Sequence, residues 1–217
     1  MNLFLNGDSN MSGAEVPREQ SIAWTLADLL GASVCTNWSL TGCSNDRIYD
    51  STIKYLETNT PDMIVIGWTE SNRIQWFDND IGQLLEINAR EISSQPYTVQ
   101  QTTRAAAVRD LMTLNSPYGR YQSIYWHNKI FNLHRMLKYR QIPHLFFSAI
   151  DLFQSLEEKY HFDWGPDYYD AYQTSYRTWG IQNHKQEVTP GRFHFVGSAQ
   201  IEWAHMLFNH IRRTHII

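Results

Sequence analysis

The sequence predicts an α/β protein in which a parallel sheet lies between two layers of helices, and three observations carry that expectation. Strand-like and helix-like patterns alternate along the chain, the order that builds parallel βαβ units. The run Met63-Ile64-Val65-Ile66 is uniformly apolar, as suits a central strand covered on both faces. The first apolar run, Leu3-Phe4-Leu5, stops at Gly7-Asp8-Ser9. A serine is thereby delivered just past the carboxyl end of a strand, where open α/β sheets place their reactive groups.

The elements follow in order. After Ser9 comes a polar loop, then Pro17 at a suitable first helical position, with its φ already set for a helix. Ile22, Leu26 and Leu29 recur at helical spacing, and Gly31 reads as the C-terminal cap. Ala32 to Trp38 forms a second strand, ending in the turn-rich Thr41-Gly42-Cys43-Ser44-Asn45. Ser44 or Asn45 caps a helix running to about Leu56, with Ile48, Thr52 and Tyr55 facing the core. The strand from Met63 stops at Gly67-Trp68-Thr69-Glu70. A polar stretch at about 92–120 has few core signals and reads as an irregular excursion. Trp126, Ile130, Leu133 and Leu137 mark the next helix, and His144 to Ile150 a fourth strand ending at Asp151. A second irregular, aromatic excursion covers about 160–190. The last helix runs from about Ser198 to Arg212, with Ile201, Ala204, Phe208 and Ile211 on one face. No repeat or low-complexity linker interrupts the series, so 1–217 is read as a single domain with a sizeable core.

Composition narrows the function classes. A net charge of −4 supplies no global pull toward nucleic acid or an anionic membrane. The basic end His210-Ile211-Arg212-Arg213 suits a helix C-terminus and needs no ligand. Cys35 and Cys43 form neither a disulfide framework nor a CxxC zinc pair, and read as reduced, small apolar residues. The N-terminus lacks a basic n-region, and no run approaches the roughly 18 apolar residues that span a bilayer. These features lead to the expectation of a soluble, cytoplasmic protein, with association with a virus particle left open. His127 and His134 lie seven apart on one helical face with no carboxylate at metal spacing, and are expected to be surface or half-buried residues. Tyr168, Tyr169, Tyr172, Tyr176 and Trp179 read either as a sugar-stacking wall or, more commonly for such stripes, as packing.

A serine nucleophile needs a base within hydrogen-bonding reach and donors for the oxyanion. Ser9, Gly42, Asn45 and His194 supply such a set, with His194 in Gly191-Arg192-Phe193-His194-Phe195 just before the final helix. Each also has a plain structural reading: Gly-Asp-Ser is a good turn, and Asn45 a good helix cap.

The order of these residues resembles the SGNH (GDSL-like) hydrolase superfamily, named for serine, glycine, asparagine and histidine in successive blocks. Gly7-Asp8-Ser9 matches the first block and Gly42 the glycine of the second. His194 stands where the family's histidine precedes the C-terminal helix, followed by Gly197, Trp203 and Ala204 in a familiar setting. Two blocks depart. The third, usually Gly-x-Asn-Asp, reads Gly67-Trp68-Thr69-Glu70, and threonine lacks the reach and the N–H of the asparagine amide. Asn45 or Asn72 is the substitute available nearby. The last, usually Asp-x-x-His, has Gly191 where the aspartate belongs. Asp151, Glu187, Glu70 or a backbone carbonyl are the candidates to orient His194 instead.

The resemblance implies a three-layer α/β/α sandwich with a parallel, flavodoxin-like sheet, and a serine esterase acting on a small acyl ester, a carbohydrate O-acetyl group among the candidates. Ser9 would be the nucleophile and His194 the general base, then acid, with the Ser9 and Gly42 amides and Asn45 as oxyanion donors. Neither a metal nor an organic cofactor is implied. The variant blocks look most like phage-type members. The alternative is a catalytically degenerate protein that keeps the scaffold for binding or structure, for example as a virion component. A homo-oligomer or a particle-associated assembly is compatible with either reading.

Overall fold

Alternate side chains of a buried strand point to opposite faces, and here each face meets its own layer of helices. A computed structural model of the chain describes residues 1–79, 82–88, 117–150, 153 and 156–216. Its strands are β1 (Asn2–Gly7), β2 (Val34–Asn37), β3 (Met63–Trp68), β4 (Arg73–Asp78), β5 (Gln83–Asn88), β6 (His144–Ser148) and β7 (Tyr168–Tyr169). The helices are α1 (Ser9–Ser12), α2 (Ile22–Leu29), α3 (Asn45–Thr58), α4 (Pro117–Tyr139), α5 (Tyr176–Gln182) and α6 (Gly197–Thr214).

Five strands form one parallel sheet in the order β2-β1-β3-β6-β7. Among the described residues, the hairpin β4–β5 pairs only with itself. With the hairpin set aside, the order is the 2-1-3-4-5 of flavodoxin-like sheets, whose winding reverses between β1 and β3 and opens a crevice at their carboxyl ends. On one face Leu3, Leu5, Met63, Val65, Leu145 and Phe147 pack against α2 and α6 through residues such as Leu26, Trp203 and Leu207. On the other, Phe4, Ile64, Ile66, Trp68 and Phe146 meet α3 and α4 through residues such as Ile48, Trp126 and Leu133. The chain is a three-layer α/β/α sandwich.

Local chemistry shifts several expected boundaries. Pro17 does not open the helix; it sits extended (ψ 143) before a 3-10 turn at Arg18–Gln20. Ser21 caps α2 instead, its hydroxyl accepting the Trp24 N–H. Ser44 is the cap of α3, as one of the two expected candidates. The buried face of α6 carries Ala199, Gln200, Trp203, Ala204, Leu207 and Ile211, while Ile201 and Phe208 are half-buried. A core glutamine hides that face from a hydropathy reading. Gln200 Nε2 donates to the Phe195 carbonyl and its Oε1 accepts from Ile22 N–H. The hairpin β4–β5 and the two-residue β7 are additions to the expected elements. Most of the excursion expected at 92–120 lies outside the described residues.

The aromatics of the second excursion are packing. Tyr168, Tyr169, Tyr176 and Trp179 are buried in the two cores. His127 and His134 are buried as well, more deeply than the expected surface or half-buried positions. Their polar atoms are satisfied by residues far along the chain, which helix spacing does not show. Burial raises both thiol pKa values, and Cys43 Sγ donates to the Gly7 carbonyl at 3.3 Å, the behaviour of a small core residue. Among the described residues, no helix is long and apolar enough to cross a membrane.

Two glycines face each other where β1 and β3 end, Gly7 opposite Gly67. A Cβ on Gly67 would lie 2.7 Å from Met11 Cγ and 2.8 Å from Phe147 Cζ. A Cβ on Gly7 would lie 2.6 Å from the same Met11 atom. Bare backbone here lets Met11 of α1 pack directly on the sheet. Gly67→Ala is therefore expected to destabilise the fold by about 1–3 kcal/mol through overpacking, read as a lower urea midpoint; an unchanged midpoint would contradict this packing.

His127 stacks on Phe162 with ring centroids 4.4 Å apart and meets Phe153, Trp164 and Tyr172 edge-on. The Tyr172 hydroxyl accepts from Phe162 N–H and Trp164 Nε1–H, both at 2.8 Å. Of the two acceptors its own proton can meet, His127 Nε2 at 2.6 Å is much closer than the Phe162 carbonyl at 3.4 Å. Burial, assisted by His161, pushes the His127 pKa from 6.5 down to about 4. On acidification the unfolded chain takes up this proton near 6.5 while the folded chain resists until about 4, so stability falls as pH falls through that window. Thermal melts should show a declining Tm across it, with a shallower decline in His127→Phe; equal slopes would refute the assignment.

Candidate active site

The carboxyl ends of β1 and β3 build the first half of the site. Asp8 is the N-cap of α1, accepting the Asn10 N–H at 2.9 Å, so Ser9 is the first helical residue and stands over the sheet. Asp8 is fully buried, and a carboxylate there needs partners. Thr69 supplies one, its hydroxyl donating to Asp8 Oδ2 at 3.1 Å. Arg73 supplies charge, its Nη1 lying 3.6 Å from the same oxygen while its Nε donates to Glu70 Oε1 at 3.3 Å.

The second half is the loop before α6. Val188 N–H donates to the His194 carbonyl and Val196 N–H to that of Gln186, drawing the loop into a narrow hairpin. Glu187 ties its tip, one carboxylate oxygen accepting from Gly191 N–H at 2.5 Å and Phe193 N–H at 3.4 Å. Phe193 is left-handed (φ 57), which turns the chain sharply just before His194. Phe195 then anchors the loop, its ring edge-on to Tyr176 and so close to α5 that a Cβ on Gly180 would lie 2.1 Å from it.

Together these supports bring His194 Nε2 to 2.9 Å from Ser9 Oγ, across 185 residues of chain. Ser9 is only 3% exposed. On the other side of the imidazole stands Glu15, its Oε2 3.1 Å from His194 Nδ1. This approach is bent away from the N–H direction, making it a close electrostatic contact rather than an aligned hydrogen bond. The other Glu15 oxygen lies 3.3 Å from Arg192 Nη1. Glu15 holds a left-handed backbone (φ 67) on the loop leaving α1, a conformation that costs a non-glycine residue about 1 kcal/mol or more.

Glu15 therefore occupies the position for which other carboxylates were expected. Glu187 is committed to loop amides and Glu70 pairs with Arg73; Asp151 lies outside the described residues. Proximity in sequence conceals Glu15: it lies six residues past the serine rather than three before the histidine, and only the left-handed turn brings it back.

Gly42 lies in a turn with φ 77. The turn is fastened beside the serine, since Leu40 N–H donates to the Gly7 carbonyl at 3.1 Å and Thr41 Oγ1 is 3.2 Å from Ser12 Oγ. Asn45 does something else. Its Nδ2 donates to the Thr69 carbonyl and its Oδ1 accepts the Thr69 N–H, both at 3.0 Å, with no surface exposed. It clamps the chain leaving β3 to the start of α3. In chemical terms the arrangement offers a hydroxyl, a base in contact with it and a carboxylate beside the base.

No protein-family model matches the chain, and no curated protein matches it in sequence. Among solved structures it is similar to the psychrotrophic esterase EstA from a Pseudoalteromonas species, solved inhibited by monoethylphosphonate. Identity is 12% and the TM-score 0.48, over 98% of each chain. A member of the lipolytic protein G-D-S-L family from Veillonella parvula is similar at 11% identity and a TM-score of 0.40, over 94% of this chain and 96% of that one.

The clamp makes Asn45 a stability determinant. Asn45→Ala leaves both Thr69 backbone groups buried without partners, at about 1–3 kcal/mol each, so a loss of at least about 2 kcal/mol is expected in urea unfolding. A near-neutral effect would rule the clamp out.

Proposed function

We propose that the chain is a serine ester hydrolase of the SGNH type, acting on a small acyl ester. The observation that carries this reading is the 2.9 Å contact between Ser9 Oγ and His194 Nε2, with the Glu15 carboxylate against the far side of the ring. A carboxylate at Nδ1 favours the tautomer whose Nε2 is free to accept the serine proton, and it stabilises the imidazolium that results. Ser9 Oγ attacks the ester carbonyl carbon while its proton passes to His194 Nε2. The oxyanion is held by the Ser9 and Gly42 amides, and Asn45 acts indirectly by holding Thr69. His194 then gives the proton to the departing alkoxide, leaving an acyl-serine. A water attacks this acyl group, losing its proton to His194, which returns it to Ser9 as the acid leaves.

The close cover over Ser9 supports a small acyl group rather than a long chain, and carbohydrate O-acetyl groups fall within that class. In this reading Arg192 is a positioning residue that holds Glu15 at the imidazole.

A fluorophosphonate probe and p-nitrophenyl acetate turnover test the proposal. The folded protein should be labelled, and Ser9→Ala should abolish both labelling and turnover. Glu15→Ala should lower kcat by at least tenfold, with the roughly 10⁴-fold loss of a fully buried orienting carboxylate as the upper bound, because Glu15 is partly exposed and water replaces some of its effect. Glu187→Gln should stay near wild type, since one oxygen makes both loop contacts and an amide oxygen can make them too. Folded protein that neither labels nor turns over substrate would overturn the proposal in favour of a scaffold used only for binding or structure.

A further inference from the structure

The end of the sheet opposite Ser9 carries a second cluster of reactive side chains that the hydrolase reading does not use. His144 opens β6, His134 lies on α4, and Asp167 ends the 3-10 turn Gly165–Asp167 just before β7. All three are buried, with 1%, 7% and 5% of their surfaces exposed. His134 Nδ1 is 2.9 Å from His144 Nε2 and 3.8 Å from Asp167 Oδ2, and one ligand atom from each residue lies within 4.8 Å of the others. Four-coordinate zinc with bonds of about 2.0–2.1 Å spaces its ligand atoms about 3.3 Å apart. The two tighter separations bracket that value.

The surroundings prepare the donors. His144 Nδ1 lies 2.9 Å from the Ile142 carbonyl, which can only accept. The proton is therefore on Nδ1, and the Nε2 lone pair faces the cluster. Such a backbone contact is how ligating histidines are usually oriented. Asp167 Oδ2 is buried without a hydrogen bond and is directed at the histidines. A carboxylate in that state calls for a cation. The cation nearest to it is Lys138, whose Nζ is 3.0 Å away, one helical turn along α4 from His134. Its side chain is 58% exposed, so it sits at the mouth of the cluster and is free to withdraw. Trp164 and Phe146 pack against the imidazoles and keep the inner side dry.

We propose that His134 Nδ1, His144 Nε2 and Asp167 Oδ2 bind a divalent transition-metal ion, with zinc as the best match to two imidazoles and one carboxylate. The ion takes the place that Lys138 shares in its absence, and solvent at the mouth completes the coordination. His134 stays neutral on binding, its proton moving from Nδ1 to Nε2. The ion pins α4 to the sheet and to the segment entering β7, with no part in the chemistry at Ser9. The absence of a carboxylate at helical spacing from His134 argues against a metal only within α4; Asp167 arrives from 33 residues further along the chain.

The test uses the whole protein, stripped with a chelator and titrated with Co²⁺ and with Zn²⁺. One equivalent of Co²⁺ should produce the visible d–d bands of a tetrahedral site, Zn²⁺ should displace it, and Zn²⁺ should raise the Tm. Asp167→Asn and His144→Gln should lose the bands, while Ser9→Ala keeps them. Lys138→Ala, a change at an exposed position, should bind Co²⁺ with a severalfold lower Kd because a competing cation is gone. The proposal is overturned if folded wild-type protein produces no such bands, or if folded Asp167→Asn retains them. Should the core variants fail to fold, an unchanged or higher Kd in Lys138→Ala overturns it.

Discussion

The close approach of β1 and β3 at their carboxyl ends is the constraint on which the site depends. Gly7 and Gly67 stand opposite each other with Met11 filling the space that two side chains would take. Only with that space free can α1 begin one residue after the strand and hold Ser9 directly over the sheet. The position is also where the winding of the sheet reverses. Topology thus leaves an opening, and two missing Cβ atoms let a serine be placed in it.

Burial of Asp8 beneath this opening shapes the segment Gly67-Trp68-Thr69-Glu70. The segment leaving β3 brings a hydroxyl and a buried ion pair to Asp8. Thr69 donates to Asp8 through its side chain and is gripped by Asn45 through its backbone. Arg73 extends the network to Glu70. Asn45, Thr69, Glu70 and Arg73 form one connected system that supports the cap of α1. In the loop before α6, Glu15 stands beside the imidazole and Arg192, two residues before His194, bridges to Glu15.

The second core gives its histidines unusual surroundings. His127 is a neutral acceptor inside an aromatic box, held by a tyrosine whose hydroxyl has already accepted two N–H groups. His134 and His144 meet each other and a carboxylate across three separate elements. Trp164 joins the two groups, edge-on to His127 and to His134. Part of the aromatic segment that reads as irregular therefore lines this core, with the Tyr172 hydroxyl at His127 and the Tyr168 hydroxyl at Ser148.

The amino-acid sequence by itself determined the layered α/β architecture, because a uniformly apolar strand and helix-spaced apolar residues are local signals. It likewise singled out Ser9 and His194, which sit in short motifs at element ends and which the fold brings to 2.9 Å of each other, and the cap at Ser44. The hairpin β4–β5 escaped because its exposed Trp76, Phe77 and Leu84 lack the buried alternation that marks a strand. The face of α6 was misread by the width of one residue because Gln200 is a polar residue in a core position. Only the tertiary structure decided that Glu15 stands at His194, that Asn45 grips Thr69 and that Asp167 joins two histidines. Each of those pairings depends on a left-handed turn or a contact between distant elements, and the energy that selects it arises from burial, which no local window of sequence contains.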